Sequence, residues 1–138
     1  MEALATVTPV NTMLFAALLV LLKIVLRMRV TAYRIKNKTM WGDNADIKMQ
    51  RLIRAHGNHA EWMPGAMIIL GLIEMAGVSP LIVFTLGAAL LVGRLLHSIG
   101  LMGNAEAFNR VAGMVITIGV MAISSVIGII EYFAPGSF

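Results

Sequence analysis

Residues 51–61 bring together side chains that could bind a charged ligand. Two arginines, two histidines, an asparagine and a glutamate occupy eleven consecutive positions, and apolar sequence follows at once. Charge at the mouth of a membrane helix is costly, so such residues usually bind a ligand or each other. Steps of three, four and three residues place one set on a single helical face, namely Arg51, Arg54, Asn58 and Glu61.

This face offers guanidinium groups for carboxylates, an amide, and a carboxylate for an ammonium group. A small zwitterionic peptide would match that set. The alternative is a structural ladder in which Glu61 pairs with Arg51 or Arg54 and no ligand binds. His56 and His59 lie on other faces, and their spacing of three matches neither common zinc arrangement, so we expect no metal site.

Later segments carry a second group of candidate residues. Arg94 and His97 share a helical face with Leu101, and each could bind a ligand or simply pack near the membrane interface. Arg110 lies four residues after Glu106. The two could form a surface ion pair, or Arg110 could stabilise an anion near the cytoplasmic interface.

Other positions indicate structural roles. Gly93 and Gly100 are a heptad apart, which favours close helix packing. Glu74 and Glu131 are expected to be solvated. Lys23 has no obvious acidic partner nearby in the sequence and is expected to find one on another helix, with Glu61 as the candidate.

Composition indicates that a lipid bilayer is the solvent of this chain. Of the 138 residues, 59% are apolar and only 13% are charged, whereas a soluble domain has about a quarter charged. The length predicts one domain, residues 1–138. The absence of cysteine excludes disulfides, thiolate nucleophiles and zinc–thiolate sites, so any thiol chemistry needs a thiol from elsewhere.

Hydropathy predicts an all-α membrane protein, a bundle of four transmembrane helices at about 9–33, 45–75, 80–102 and 105–133. Nine of the eleven Lys and Arg residues fall between Lys23 and Arg54. This distribution is typical of membrane orientation and not of a nucleic-acid-binding face. It predicts a multi-pass protein of the cell inner membrane, with a retained first helix and both termini outside the cytoplasm.

The motif of the second helix resembles the signature of the MAPEG family, the membrane-associated proteins in eicosanoid and glutathione metabolism. The residues that carry this resemblance are Arg51, Arg54, Ala55, His56, Asn58 and Glu61. They follow a basic loop, residues 34–44. Lys23, the segment from Val92 to His97, and Arg110 also stand where the family has similar residues. The resemblance covers nearly the whole chain.

Membership would imply a homotrimer that binds glutathione as a cosubstrate in a cleft between subunits, in the cytoplasmic half of the membrane. The resemblance implies that Arg110 is catalytic and stabilises the glutathione thiolate, which is the nucleophilic form. It implies a glutathione-binding set of Arg34 from the neighbouring subunit with Arg51, Arg54, Asn58, Glu61, Arg94 and His97.

The implied function is a glutathione-dependent transferase or peroxidase that acts on lipophilic electrophiles entering from the lipid. The alternative is a non-catalytic protein of the same fold that binds a lipid or small anion, or a structural membrane partner. A transporter subunit is a third possibility, but the inverted repeats expected there are absent from the sequence.

The chain departs from the family pattern at several positions. Leu101 and Met114 stand where prostaglandin E synthase-like members have tyrosines, and Trp62 replaces the tyrosine that follows the glutamate in several members. Gly57 stands where some relatives have a basic residue. The missing tyrosines bear directly on whether the protein activates glutathione.

Overall fold

A computed structural model describes residues 8–103 and 107–138 and confirms the all-α, four-helix class. Glu106, one of the alternatives considered as a partner of Arg110, lies outside the described residues. The helix ends differ from the predicted ones by at most three residues. The helices are α1 (Val10–Lys36), α2 (Ile47–Met75), α3 (Pro80–Met102) and α4 (Ala107–Phe133).

The core lies between the four helices and is built from aliphatic residues that recur at helical spacing. Leu19, Leu70, Ile73, Leu90 and Val120 are all buried in one cluster. Many large apolar side chains face outward instead, which a soluble monomer rarely shows over a continuous surface. Helices α3 and α4 are long and apolar enough to cross a membrane. The outward apolar surface is therefore suited to contact with lipid.

Helices α3 and α4 approach each other closely because glycine leaves room for backbone contact. A Cβ added to Gly100 would lie 2.5 Å from the backbone nitrogen of Arg110. A Cβ added to Gly93 would lie 3.2 Å from the carbonyl oxygen of Gly113. The prediction that Gly93 and Gly100 serve close packing is thus confirmed, and the contact brings Arg110 beside α3.

The two glutamates at the opposite end of the bundle were expected to be solvated, and that prediction is wrong. Glu74 is buried, and its carboxylate accepts hydrogen bonds from the backbone N–H groups of Asn11 and Thr12 at 2.9 and 2.7 Å. Glu131 is also buried and accepts from the N–H groups of Gly136 and Phe138. A carboxylate at the first turn of α1 satisfies donors that have no partner within the helix.

Candidate functional site

Three helices contribute polar side chains to one pocket at the end of the bundle that carries the basic loop. Its volume is about 390 Å³. The lining consists of Arg54 and Asn58 from α2, His97 and Leu101 from α3, and Arg110, Val111 and Met114 from α4. Two cations, an amide and an imidazole thus face an opening whose remaining wall is apolar.

Asn58 is held by Arg94, the largest of the fully buried side chains. Nη2 of Arg94 donates to Oδ1 of Asn58 at 2.7 Å. Because a guanidinium can only donate, this contact fixes the amide oxygen toward Arg94 and leaves the amide nitrogen as the donor for a ligand. Among the described residues, Nε of Arg94 has no hydrogen-bond partner. Arg94 therefore lies behind the pocket wall and orients a residue that lines it.

The tautomer of His97 follows from its hydrogen bond to α4. Its Nδ1 lies 2.8 Å from the carbonyl oxygen of Arg110, and a carbonyl can only accept, so Nδ1 carries the proton. In the neutral ring Nε2 is then an acceptor, and it has no partner within the described part of the chain. The bond crosses from α3 to α4 where Gly100 allows the close approach, and it ties the backbone of Arg110 to His97.

Arg54 and Glu61 form an ion pair at the rim of the pocket. Nη1 of Arg54 lies 3.5 Å from Oε1 of Glu61, and the two side chains are 63% and 56% exposed. A long, solvated pair of this kind contributes little to stability. The ladder between Arg54 and Glu61 is therefore present, but it leaves Arg54 able to exchange its partner for a ligand carboxylate.

The sequence of this chain is similar to those of known membrane proteins. Residues 12–130 match the MAPEG family. The chain belongs to the MAPEG family. It is similar to the inner membrane protein YecN of Escherichia coli, strains K12 and CFT073, with 34% identity over 87 residues. That match covers 63% of this chain and 66% of YecN, just under two thirds of its length. Family membership and the apolar helices together make this chain a membrane protein.

Two of the departures from the family pattern lie in the pocket itself. Leu101 and Met114, which the resemblance places at tyrosine positions of prostaglandin E synthase-like members, both line it. The seven lining residues include no hydroxyl group. Within one subunit, stabilisation of an anion in this pocket must therefore come from the two arginines and the amide N–H groups, because Nε2 of His97 is an acceptor.

Two residues implied by the MAPEG resemblance lie elsewhere in the same subunit. Nη1 of Arg51 donates to the carbonyl oxygen of Gly103 at 3.1 Å, beside Lys48. Nη1 of Arg34 donates to the carbonyl oxygen of Met40 at 3.3 Å. Neither is among the residues that line the pocket of Arg110. Within one subunit, the pocket brings together only part of the implied set.

His59 is a buried polar residue whose contact was not predicted. Its Nε2 lies 3.0 Å from the carbonyl oxygen of Leu19, so it donates across from α2 to α1. The signal was present in the sequence, because His59 lies four residues after Ala55 and seven before Ala66, both buried on the apolar face of α2. Helical periodicity therefore places His59 in the packed stripe, away from the face that carries Asn58.

Proposed function

We propose that the chain is a glutathione-dependent MAPEG protein, a transferase or peroxidase that acts on lipophilic electrophiles. The observation that carries the proposal is the convergence of Arg54, Asn58, His97 and Arg110 on one pocket of about 390 Å³. The carboxylates and the thiolate of glutathione need cationic and N–H donors such as these, and its ammonium group needs a carboxylate, which Glu61 would supply at the rim. The match to the MAPEG family supports the same function, because some members of that family use glutathione.

The roles follow from the hydrogen-bonding capacity of each group. Arg54 would exchange its weak pair with Glu61 for a glutathione carboxylate, and Glu61 would then accept from the ammonium group. The amide nitrogen of Asn58, oriented by Arg94, would donate to a peptide carbonyl or carboxylate. His97 would form part of the pocket wall and hold the backbone of Arg110 in place through its Nδ1 hydrogen bond, while its Nε2 is buried.

Arg110 would hold the thiol as a thiolate. A free cysteine thiol has a pKa near 8.5, and lowering it by two units takes about 2.7 kcal/mol of preferential thiolate stabilisation. A charge about 4 Å away supplies roughly 1 kcal/mol in water but roughly 4 kcal/mol in a partly dehydrated site. Because Leu101, Val111 and Met114 are apolar, a bound tripeptide would exclude water from this wall. One arginine is then sufficient.

In conjugation, the thiol proton passes to water, sulfur forms a bond to the electrophilic carbon, and the leaving group departs with the electrons of its bond. In peroxide reduction, two glutathione molecules are oxidised to the disulfide while the hydroperoxide is reduced to an alcohol and water. Lipophilic substrates would reach the pocket from the bilayer past the apolar side chains of α4, such as Val111 and Met114.

A homotrimer would complete the pocket. Arg34 is outside the pocket of its own subunit, so it could contact glutathione there only from a neighbouring subunit. Arg51 lies nearer the basic loop and would act on the outer part of a ligand. The basic residues at this end of the bundle favour its placement in the cytoplasm, with both termini outside.

A second candidate is a non-catalytic MAPEG protein that binds a small anion or lipid in the same pocket. The observation that favours it is the occupation of two tyrosine positions by Leu101 and Met114. Without a phenol, Arg110 is the lining residue proposed to act on the sulfur. Glutathione bound without formation of thiolate would support this candidate over the enzyme.

Titration calorimetry with glutathione tests binding. Replacing Arg54 with Ala removes a charge-assisted contact worth about 1.5–3 kcal/mol, so affinity should fall by roughly 10-fold to 150-fold. Arg27→Ala is the matched control, because Arg27 is an exposed arginine outside the pocket, and it should leave affinity nearly unchanged. Absence of any heat from wild-type protein at millimolar glutathione would refute the proposal.

A further inference from the structure

Two adjoining depressions form a basic cleft that is separate from the pocket of Arg110. The first has a volume of about 360 Å³ and lies between α1 and α2, and the second, of about 330 Å³, lies between α2 and the end of α3. Both are lined by Lys48 and Met102, so they join. Neither shares a lining residue with the pocket described above.

Four cations line this basic cleft, namely Arg29, Lys36, Lys48 and Arg51. Asp46 contacts Tyr33, a residue of the cleft: its carboxylate accepts from the hydroxyl of Tyr33 at 2.8 Å and from the backbone N–H of Lys48. The hydrogen bond from Tyr33, with those from the backbone of Met49 and Lys48, holds the pKa of Asp46 below its usual value. Asp46 is therefore ionised, but it is not among the residues that line the cleft.

The described contacts of Arg29 and Lys48 leave their positive charges in place. Nη1 of Arg29 lies 3.2 Å from Sδ of Met102, and a thioether is only a weak acceptor. Nζ of Lys48 lies 5.3 Å from the ring centroid of Tyr33, a cation–π contact that keeps the full charge. Because Asp46 already accepts from Tyr33 and caps α2, its oxygens are largely occupied.

The position of the cleft in the bilayer indicates the class of its ligand. It lies where α1 ends and α2 begins, at the level where the apolar part of the helices gives way to a polar loop, and lipid headgroups occupy that level of a bilayer. Ala32, Leu52 and Met102 give the same cleft an apolar wall. Basic pockets between helices at this depth suit anionic lipid headgroups. We propose that the basic cleft binds the phosphate group of an anionic phospholipid.

A binding experiment in lipid nanodiscs tests this proposal. Full-length protein is placed in nanodiscs of phosphatidylcholine with phosphatidylglycerol, and lipid retained on the protein is measured by native mass spectrometry. Arg29→Gln/Lys36→Gln removes two cations from the cleft. The matched control, Arg27→Gln/Lys38→Gln, removes two charges from the same end of α1 and its loop, outside the cleft.

The proposal requires phosphatidylglycerol to be retained over phosphatidylcholine by the wild-type protein. At about 1 kcal/mol per basic residue, the double variant in the cleft should lower that preference roughly 30-fold. At about 0.15 M salt, charges farther from the phosphate are screened, so the control should lose less than about threefold. Equal losses in the two variants would mean diffuse attraction only and would overturn the proposal.

The source of the phosphate is tested by competition. Millimolar inorganic phosphate should leave the retained phosphatidylglycerol in place, because the apolar wall contributes to lipid binding. Complete displacement would overturn the lipid assignment in favour of a soluble phosphate compound. Glutathione binding measured on the same double variant should be unchanged, which separates a failure of this proposal from a failure of the proposed function.

Discussion

Replacing Gly100 with alanine should separate α3 from α4 at the point that presents Arg110. The added Cβ would lie 2.5 Å from the backbone nitrogen of Arg110 and 2.9 Å from its Cα. Ordinary contact begins at 3.4 Å, so the helices must move by 3.4 − 2.5 = 0.9 Å. The opposing atoms are backbone, and no side-chain rotation can relieve the contact.

The expected cost follows from that displacement. Overpacking of a well-packed contact costs about 1–3 kcal/mol. A movement of 0.9 Å along the bond would stretch the hydrogen bond from His97 to the carbonyl of Arg110 from 2.8 Å to about 3.7 Å, beyond bonding range. That loss adds about 1 kcal/mol, and the better helix propensity of alanine returns about 1 kcal/mol. The net destabilisation is therefore about 1–3 kcal/mol.

Thermal unfolding in detergent measures the effect, and Gly119→Ala is the control. Gly119 also lies in a helix, but an added Cβ meets nothing within 4 Å, so alanine there should stabilise the subunit by up to about 1 kcal/mol. Misplacement of Arg110 by about 1 Å should also weaken the proposed glutathione-dependent activity by about a hundredfold. If Gly100→Ala and Gly119→Ala unfold at the same temperature, the close contact of α3 and α4 is wrong.

Three further outcomes are expected in the same detergent. Asn58→Leu should destabilise the protein by about 1.5–3 kcal/mol because the buried Arg94 loses its hydrogen-bond acceptor. Adding Arg94→Met should recover stability, and a double-mutant cycle measures this coupling. Glu74→Gln should cost about 1 kcal/mol in chemical unfolding, since one amide oxygen replaces a carboxylate at the start of α1. Folding lowers the pKa of Asp46 from its unfolded value of 3.8, so the ionised carboxylate stabilises the folded state. This stabilisation is fully present above pH 3.8 and is lost as the pH falls through the folded pKa. Unfolding scans should show Asp46→Asn losing less stability than wild type below about pH 4, and parallel curves would contradict this.

The sequence predicted the four helices because each is a long apolar run between polar loops. It also predicted that Arg54, Asn58 and His97 belong to one polar region, since helical spacing and the family motif agree. It did not predict that Arg94 lies behind Asn58 instead of facing a ligand. Spacing defines the face of a helix, but the rotation of that helix against its neighbours decides which partner the face meets.

The environment of two glutamates also could not be predicted from the sequence. Glu74 and Glu131 near helix ends were expected in water, yet both are buried against backbone N–H groups. The partners of Glu74 are more than sixty residues away in the sequence, and those of Glu131 lie in the last few residues of the chain. A buried cap of this kind is visible only when the tertiary neighbours of the helix end are known.

The central claim is that Arg110 holds glutathione as its thiolate in a pocket shared with Arg54, Asn58 and His97. Ultraviolet absorbance of the thiolate, recorded while glutathione is titrated into purified protein at neutral pH, measures this directly. We expect the wild-type protein to develop the thiolate band to saturation, and Arg110→Ala to lose it while still binding glutathione. Saturated binding without a thiolate band in the wild type, or an equal band in Arg110→Ala, would contradict the claim.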